Sequence, residues 1–284
     1  MDVALLPLAA ALALEPEAAP ITSEPAEFQL SLALDAWLPR LEGDFTDAGA
    51  KVDVRTIDLH DAAATFAGAL TMTRDRLDVT IRGFSFSTDG GGVATTPSTL
   101  GGITISTGDT FTSDFSWWSA GLEIAYDIYR PLAERPTAWS DPRANWEPAA
   151  NATDFSVFLL LSADIDAMSR TISDATSGLS TDANESFAAF EVGLGFHLGF
   201  DTSPTLPILR RIDIGAEAAY GLSVPTGGGD LGGASRVEAN ISAWFCQEGA
   251  VYFGYRLVGG SFEGDDMSLD GSLQGLHAGI RLAF

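Results

Sequence analysis

From Phe187 to Phe200 the chain alternates without a break: Ala188, Phe190, Val192, Leu194, Phe196, Leu198 and Phe200 on one side, Glu191, Gly193, Gly195, His197 and Gly199 on the other. Period two is the signature of a strand, in which successive side chains point to opposite faces. A soluble strand runs to about five or six residues, whereas a tilted strand that crosses a bilayer needs roughly 9–11. This segment has the membrane length, with one apolar face and one polar or small face. The carboxy-terminal residues repeat the pattern, with Leu276, Ala278, Ile280, Leu282 and Phe284 facing His277, Gly279, Arg281 and Ala283. One such strand also suits a soluble sandwich, so recurrence decides.

The pattern recurs at about 28–40, 62–74, 76–88, 111–130, 155–168, 208–222, 232–246, 249–262 and 272–284. With 187–200 these predict ten strands, an even number, as a single-chain barrel with both ends on the periplasmic side requires. In that orientation the outer connections are 41–61, 89–110, 169–186, 223–231 and 263–271, long or rich in Gly, Ser, Thr and Asp. The inner ones include a tight Arg74-Asp75-Arg76 turn, the link Asp201 to Pro207 and the turn Gln247 to Gly249. Long outside and short inside is the asymmetry of such barrels. The stretch from Pro131 to Asp154, with four prolines on the periplasmic side, departs from it.

Composition narrows the function classes. The 284 residues suffice for one barrel, and no run of about twenty apolar residues would make a helical span. A net charge of −24 argues against nucleic acid, because phosphate recognition depends on Lys and Arg. Acidic loops keep the exposed parts soluble and the protein monomeric. The single cysteine, Cys246, cannot form an intramolecular disulfide, and no activating base adjoins it. At the amino terminus, Val3 to Leu14 is apolar but too short to span, and Ala18-Ala19-Pro20 suits a processing site, although Asp2 stands where a basic residue is usual. Residues 1–27 therefore read as a signal-peptide remnant or disordered entry, and 28–284 as the barrel.

Ala36-Trp37-Leu38-Pro39-Arg40-Leu41-Glu42-Gly43-Asp44-Phe45, then Val52-Asp53-Val54, Asp58-Leu59 and Arg74 to Ile81, resemble the opening of a family of uncharacterised small bacterial outer-membrane barrel proteins. Gly254-Tyr255-Arg256, the acidic loop Glu263 to Asp266, and Gly279, Arg281 and Phe284 resemble its last hairpin. The resemblance covers most of the strands and little of the loops. It implies an outer-membrane location, a closed antiparallel up-and-down transmembrane barrel, and no known active site to transfer.

The alternation turns Asp35, Asp78, Arg82, Glu123, Asp164, Asp166, Glu191, His197, Asp213, Glu217, Glu238, Asn240, Arg256, His277 and Arg281 into the lumen. Barrels of eight to ten strands are narrow enough for side chains to fill. Arg82, Glu123, Glu191, Asp213, Glu217, Glu238, Arg256 and Arg281 are accordingly expected to form an ion-pair network, with Arg256 and Arg281 clamping carboxylates across the lumen. The surplus of acids leaves a hydrated, cation-preferring path as the other reading.

Trp118, Tyr126 and Tyr255 are expected at the bilayer interface, where amphipathic rings anchor, with Phe284 closing the assembly signal. Trp117 and Trp118 must point to opposite sides. A hydrolase would need a His, a carboxylate and a nucleophile converging at the rim. Of the three histidines only His60, between Asp58 and Asp61, lies in an outer connection, and no Gly-x-Ser-x-Gly motif is present. No loop has the spacing of a calcium site, so neither metal nor cofactor is expected. The expectation is an outer-membrane β-barrel, structural or pore-like, whose partners are outer-membrane lipid and, during biogenesis, the barrel assembly machinery. A surface-binding barrel using its outer loops is the alternative, and a barrel hydrolase the third class.

Overall fold

A computed structural model describes residues 28–47, 50–131, 153–202, 208–246 and 248–284. Residues 1–27 and most of the Pro131 to Asp154 connection lie outside the described residues, together with the expectations placed on them. Among the described residues thirteen strands are present: β1 (Gln29–Asp47), β2 (Ala50–Asp53), β3 (Thr65–Arg74), β4 (Leu77–Val93), β5 (Ser98–Leu100), β6 (Ile103–Ile105), β7 (Thr110–Tyr129), β8 (Thr153–Asp174), β9 (Leu179–Asp201), β10 (Arg211–Pro225), β11 (Gly232–Trp244), β12 (Gly249–Glu263) and β13 (Ser268–Ala283). Among the described residues no helix is long and apolar enough to cross a membrane.

Ten of these strands pair in the order β1-β3-β4-β7-β8-β9-β10-β11-β12-β13, and β13 returns to β1, from Ser31 opposite Ala283 to Thr46 opposite Ser268. All pairings are antiparallel, so the barrel is closed and up-and-down, which leaves no edge strand. The near end of the barrel is where β1 begins and β13 finishes; the far end carries the connections after β1, β4, β8, β10 and β12. Two hydrogen bonds between Leu30 and Phe284 complete the seam.

The ten expected strands are the ten barrel strands, yet several run further. The sequence suggested 155–168 and 187–200 joined by a long outer loop; instead β8 and β9 have 22 and 23 residues and turn only at 175–178. Asp174 makes that turn tight by accepting from the Thr176 amide at 2.8 Å and the Ser177 hydroxyl at 2.6 Å, while Gly178 takes φ +74°.

The reason for the extension is a reversal of the alternation. Over the near two thirds of β8 and β9 the outward residues are apolar, Phe155 to Ala167 and Ala188 to Phe200, and form a continuous outer band of the kind that faces lipid in membrane barrels. Beyond it the outward residues are Ser169, Thr171 and Ser173 opposite Asn184, Asp182 and Ser180. They pair as a polar ladder, Thr171 with Asp182 at 2.7 Å and Ser173 with Ser180 at 2.9 Å. Inward there, Met168, Ile172, Ala183 and Phe187 are buried and apolar, and among them the buried Arg170 guanidinium lies 5.1 Å over the Phe45 ring. The same exchange occurs on β1, where Leu34 and Leu38 face out below and Trp37, Leu41 and Phe45 face in above, and on β7 and β13. Beyond the apolar band the wall is polar outside, as a surface in water must be, and its apolar side chains leave water by turning inward.

Candidate functional site: a charged cavity beneath an apolar seal

The inward apolar residues of the far half meet as one cluster. Trp37, Leu41, Phe45, Phe86, Phe115, Trp117, Met168, Phe187, Phe262 and Leu273 contribute from the strands, and Trp37 and Trp117 have no exposed surface. The rings interlock edge to face, Trp117 with Phe262 at 5.2 Å and Phe45 with Phe115 at 5.5 Å between centroids, a geometry that aligns ring edges with ring faces. The far-end connections close the top. After β2 folds back on β1, Val54, Ile57 and Leu59 drop into the cluster, and Leu100, Ile103 and Ile105 of the β5–β6 hairpin join them.

Specific polar contacts seat this cap. The Val54 amide donates to Gly43 at 3.1 Å, the Ala63 amide to Pro39 at 3.0 Å, and the Gly91 amide to the Asp58 carboxylate at 3.1 Å. A side chain at position 90 would collide with the Asp58 carbonyl, so Gly90 allows the approach. On the rim, the Lys51 ammonium lies 3.0 Å from Asp44 and Arg55 donates to Glu42 at 2.7 Å. The hydrogen bond to Asp44 holds the Lys51 pKa above its ordinary value.

Beneath the seal, the near half of the lumen holds a cavity of about 490 Å³. Phe84 stands at the junction, with its ring 5.3 Å from Trp37 above and its edge in the cavity wall below. The cavity reaches residues at the near end, among them Gln29, Asp75, Arg76, Arg130 and Ala283.

The charged residues divide into three groups. At the cavity ceiling Arg82 donates to Glu123 at 2.6 Å and to Asp164 at 2.9 Å, with Glu191 at 4.0 Å. Arg236 faces the same carboxylates from the opposite wall, bonded to Glu123, 3.4 Å from Glu217 and 3.9 Å from Glu191. On the β12–β13 side, Arg256 donates to Glu238 at 2.7 Å and lies 3.1 Å from Asp35, which also bonds His277 at 2.9 Å. Nearer the mouth, Asp213 meets Arg211, lies 3.6 Å from His197, and accepts from the Trp244 indole at 2.6 Å.

Arg82, Glu123, Glu191, Glu217, Glu238 and Arg256 thus lie in the two deeper groups, and Asp213 sits apart from them. Arg281 is placed differently from the expected clamp: its guanidinium stacks 5.6 Å over Tyr252. Arg236, Arg211 and Asp154 are the residues sequence reasoning missed. Arg236 shares parity with Glu238 and Asn240, and Arg211 with Asp213, so the alternation already turned both inward. Asp154 was assigned to a connection. Asp166 and Trp117 also pair, the indole donating to the carboxylate at 2.8 Å, which lets the largest side chain of the seal end on a polar group.

Outside, Trp118, Tyr126, Tyr255 and Phe284 are all exposed on the outer surface of the barrel, between 41% and 57%. Trp118 sits where the outward alternation turns polar, opposite Ala167 and Ser85, and Tyr126 lies near the other end opposite Leu77. The Tyr255 hydroxyl bonds Gln274 at 2.9 Å at the far boundary of β13. His60 is 4.0 Å from Asp61. Among the described residues no group of three or more His, Cys, Asp or Glu is arranged to hold a metal ion.

No protein-family model matches the chain, and no curated protein matches it in sequence. Solved structures do. The outer-membrane protease OmpT of Escherichia coli is similar over 90% of this chain and 96% of its own, with a TM-score of 0.50 and 12% identity. The attachment invasion locus protein Ail of Yersinia pestis matches over 91% of this chain and 100% of its own at 13% identity and a TM-score of 0.31. The toluene transporter TodX of Pseudomonas putida matches over 92% and 90% at 10% identity and a TM-score of 0.29. These neighbours are bacterial outer-membrane barrels, and the OmpT likeness extends the shared fold to nearly the whole of both chains.

Proposed function

We propose that the protein is an integral component of a bacterial outer membrane, with its near end in the periplasm, and that it is a closed, non-conducting envelope barrel. The observation that carries this reading is the seal. A solute path would have to pass Trp37, Phe115, Trp117 and Phe262, members of one buried cluster in which Trp117 packs edge to face on Phe262. Displacing such a core costs on the order of 3–5 kcal/mol for a single large aromatic, and a dry apolar constriction is itself a barrier to ions. The test is a planar-bilayer recording on protein whose folding is confirmed by heat-modifiable electrophoretic migration. No steady conductance is expected; well-resolved channels would overturn the reading in favour of a small-solute pore.

The membrane placement is tested separately. The protein should stay with membranes after a carbonate wash, and release as a soluble species would remove the placement. The same reading gives the chain no catalytic role. Turnover of a peptide or ester by the purified barrel, lost in His60→Ala, would reverse that assignment.

A second reading, a surface-binding barrel, draws support from the far lobe. The β8–β9 hairpin and the β5–β6 hairpin project past the lipid band on an ordered base, the arrangement in which loops present a binding surface on a rigid scaffold. Loss of cell-surface adhesion on deletion of 96–107, with the barrel still folded, would favour it.

A further inference from the structure

A cavity that is blocked at one end holds solutes and does not pass them. Under the reading above, the 490 Å³ space opens toward the periplasm and stops at Phe84 and the ceiling pairs, and it has the size of a small-molecule pocket. Its charge is unbalanced. Eleven carboxylates line it against seven guanidinium groups, so even with His197 and His277 both protonated two negative charges are left over. In a wall backed by lipid that surplus is costly unless protons or other cations enter.

Two observations locate where the cation would go. Near the mouth, Oδ1 of Asp78 and Oδ1 of Asp154 are shielded from solvent and have no hydrogen-bond partner among the described residues. Asp154 is only 5% exposed, and its contacts with Arg130 and Arg211, at 3.6 and 3.9 Å, involve the other oxygen, Oδ2. Deeper, midway along β10, the ion pair of Glu217 among the described residues is the 3.4 Å approach of Arg236, a residue already bonded to Glu123, with Arg82 and Arg256 farther away. The wall beside them carries the Phe158 ring, packed over Gly195. Carboxylate oxygens left open at two depths, with an aromatic wall beside them, match a flexible chain with an ammonium at each end, since ring faces also attract cations.

We propose that the near-half cavity is a binding site for a linear organic di- or polyamine taken from the periplasmic side, with one ammonium at Asp78 and Asp154 and another at Glu217. The experiment is isothermal titration of spermidine into the folded, detergent-solubilised protein. Saturable 1:1 binding is expected, with no uptake of glutarate, a shorter flexible dianion. Asp78→Asn and Glu217→Gln should each raise the Kd at least tenfold, while Asp182→Asn on the outer ladder should leave it unchanged. Heat-modifiable migration confirms that each variant is folded, and the spermidine-against-glutarate contrast in the unaltered protein decides the matter even if a variant does not fold. Absence of saturable spermidine binding overturns the proposal. So does an equal loss in Asp182→Asn, which would mean diffuse attraction to an acidic protein, and so does displacement by Mg²⁺ alone at equal concentration, which would mark an inorganic cation site. Conductance reports on the seal and calorimetry on the cavity, so either reading can fail without the other.

Discussion

The two halves of this lumen are built from the same ten strands and solve opposite problems. Under the proposed membrane placement the outer wall of the near half is in lipid, the apolar residues face out, and what remains to fill the interior is Arg, Asp, Glu and His, which must neutralise one another in a narrow space. In the far half, which that placement leaves in water, the polar residues face out as Ser, Thr and Asp, and the interior is mostly Trp, Phe, Leu and Ile, with Arg170 buried among them. The boundary passes through neighbouring residues of single strands: on β1 Asp35 belongs to the ion-pair region, and Trp37, two positions on, to the seal. A period-two strand allows this, because exchanging which parity is apolar needs no change of backbone.

The difference is first tested by what each half loses when one group is removed. Arg82→Ala leaves Glu123 and Asp164 facing a ceiling with one cation fewer, and removal of one partner from a buried network costs about 3–5 kcal/mol. Phe115→Ala removes a fully packed ring from the seal, also at about 3–5 kcal/mol. Urea unfolding in micelles should show both losses, yet only the second creates an apolar void. A double replacement that removes charge and keeps volume, Arg82→Met with Glu123→Gln, should therefore recover part of the loss, whereas no polar replacement at 115 should. Equal behaviour at the two sites would erase the distinction between the halves.

A somewhat smaller effect, but a sharper one in sign, distinguishes inside from outside. Leu194→Arg puts a guanidinium into the lipid band and should cost roughly 2–4 kcal/mol near the midplane, depending on depth. Asn184→Arg, on the same outward face of β9 but above the band, should cost less than about 0.5 kcal/mol, as surface substitutions usually do. Folding yield into lipid vesicles measures both. Similar penalties at 184 and 194 would move the lipid boundary and with it the reason for the reversal. The neighbouring inward substitution Gly195→Arg is a poor probe, since the Phe158 ring occupies the space its Cβ would need.

Most of the barrel was legible before any coordinates. The apolar faces of 187–200 and 272–284 gave strand number, closure and facing, because lipid imposes one parity on every wall strand at the same depth. What the pattern hid was the second half of the same strands. Residues 169–186 are rich in Ser, Thr and Asp and looked like a loop; in fact Met168, Ile172, Ala183 and Phe187 continue the alternation with its sense inverted. The charged site was legible residue by residue, through parity, but not as three groups. Parity says which side a residue faces, and only the stagger between strands says that Arg236 reaches Glu123 on the opposite wall while Arg281 finds Tyr252.

The smallest expected effect separates the halves by solvent. Raising ionic strength from about 0.1 to 1 M shortens the screening length from about 10 to 3 Å. If water from the near end reaches the charged cavity, salt weakens the field that its cations and carboxylates exert on one another. The destabilisation caused by Arg256→Ala, which leaves Glu238 and Asp35 short of a cation, should then fall in high salt, by about 1 kcal/mol or less. The loss in Trp117→Ala should not fall, because excluded salts strengthen apolar burial if they change it at all. Parallel unfolding curves for the two variants at both salt concentrations check this. If Arg256→Ala is as salt-insensitive as Trp117→Ala, the cavity is dry, its pairs are as inaccessible as the seal, and no periplasmic solute enters.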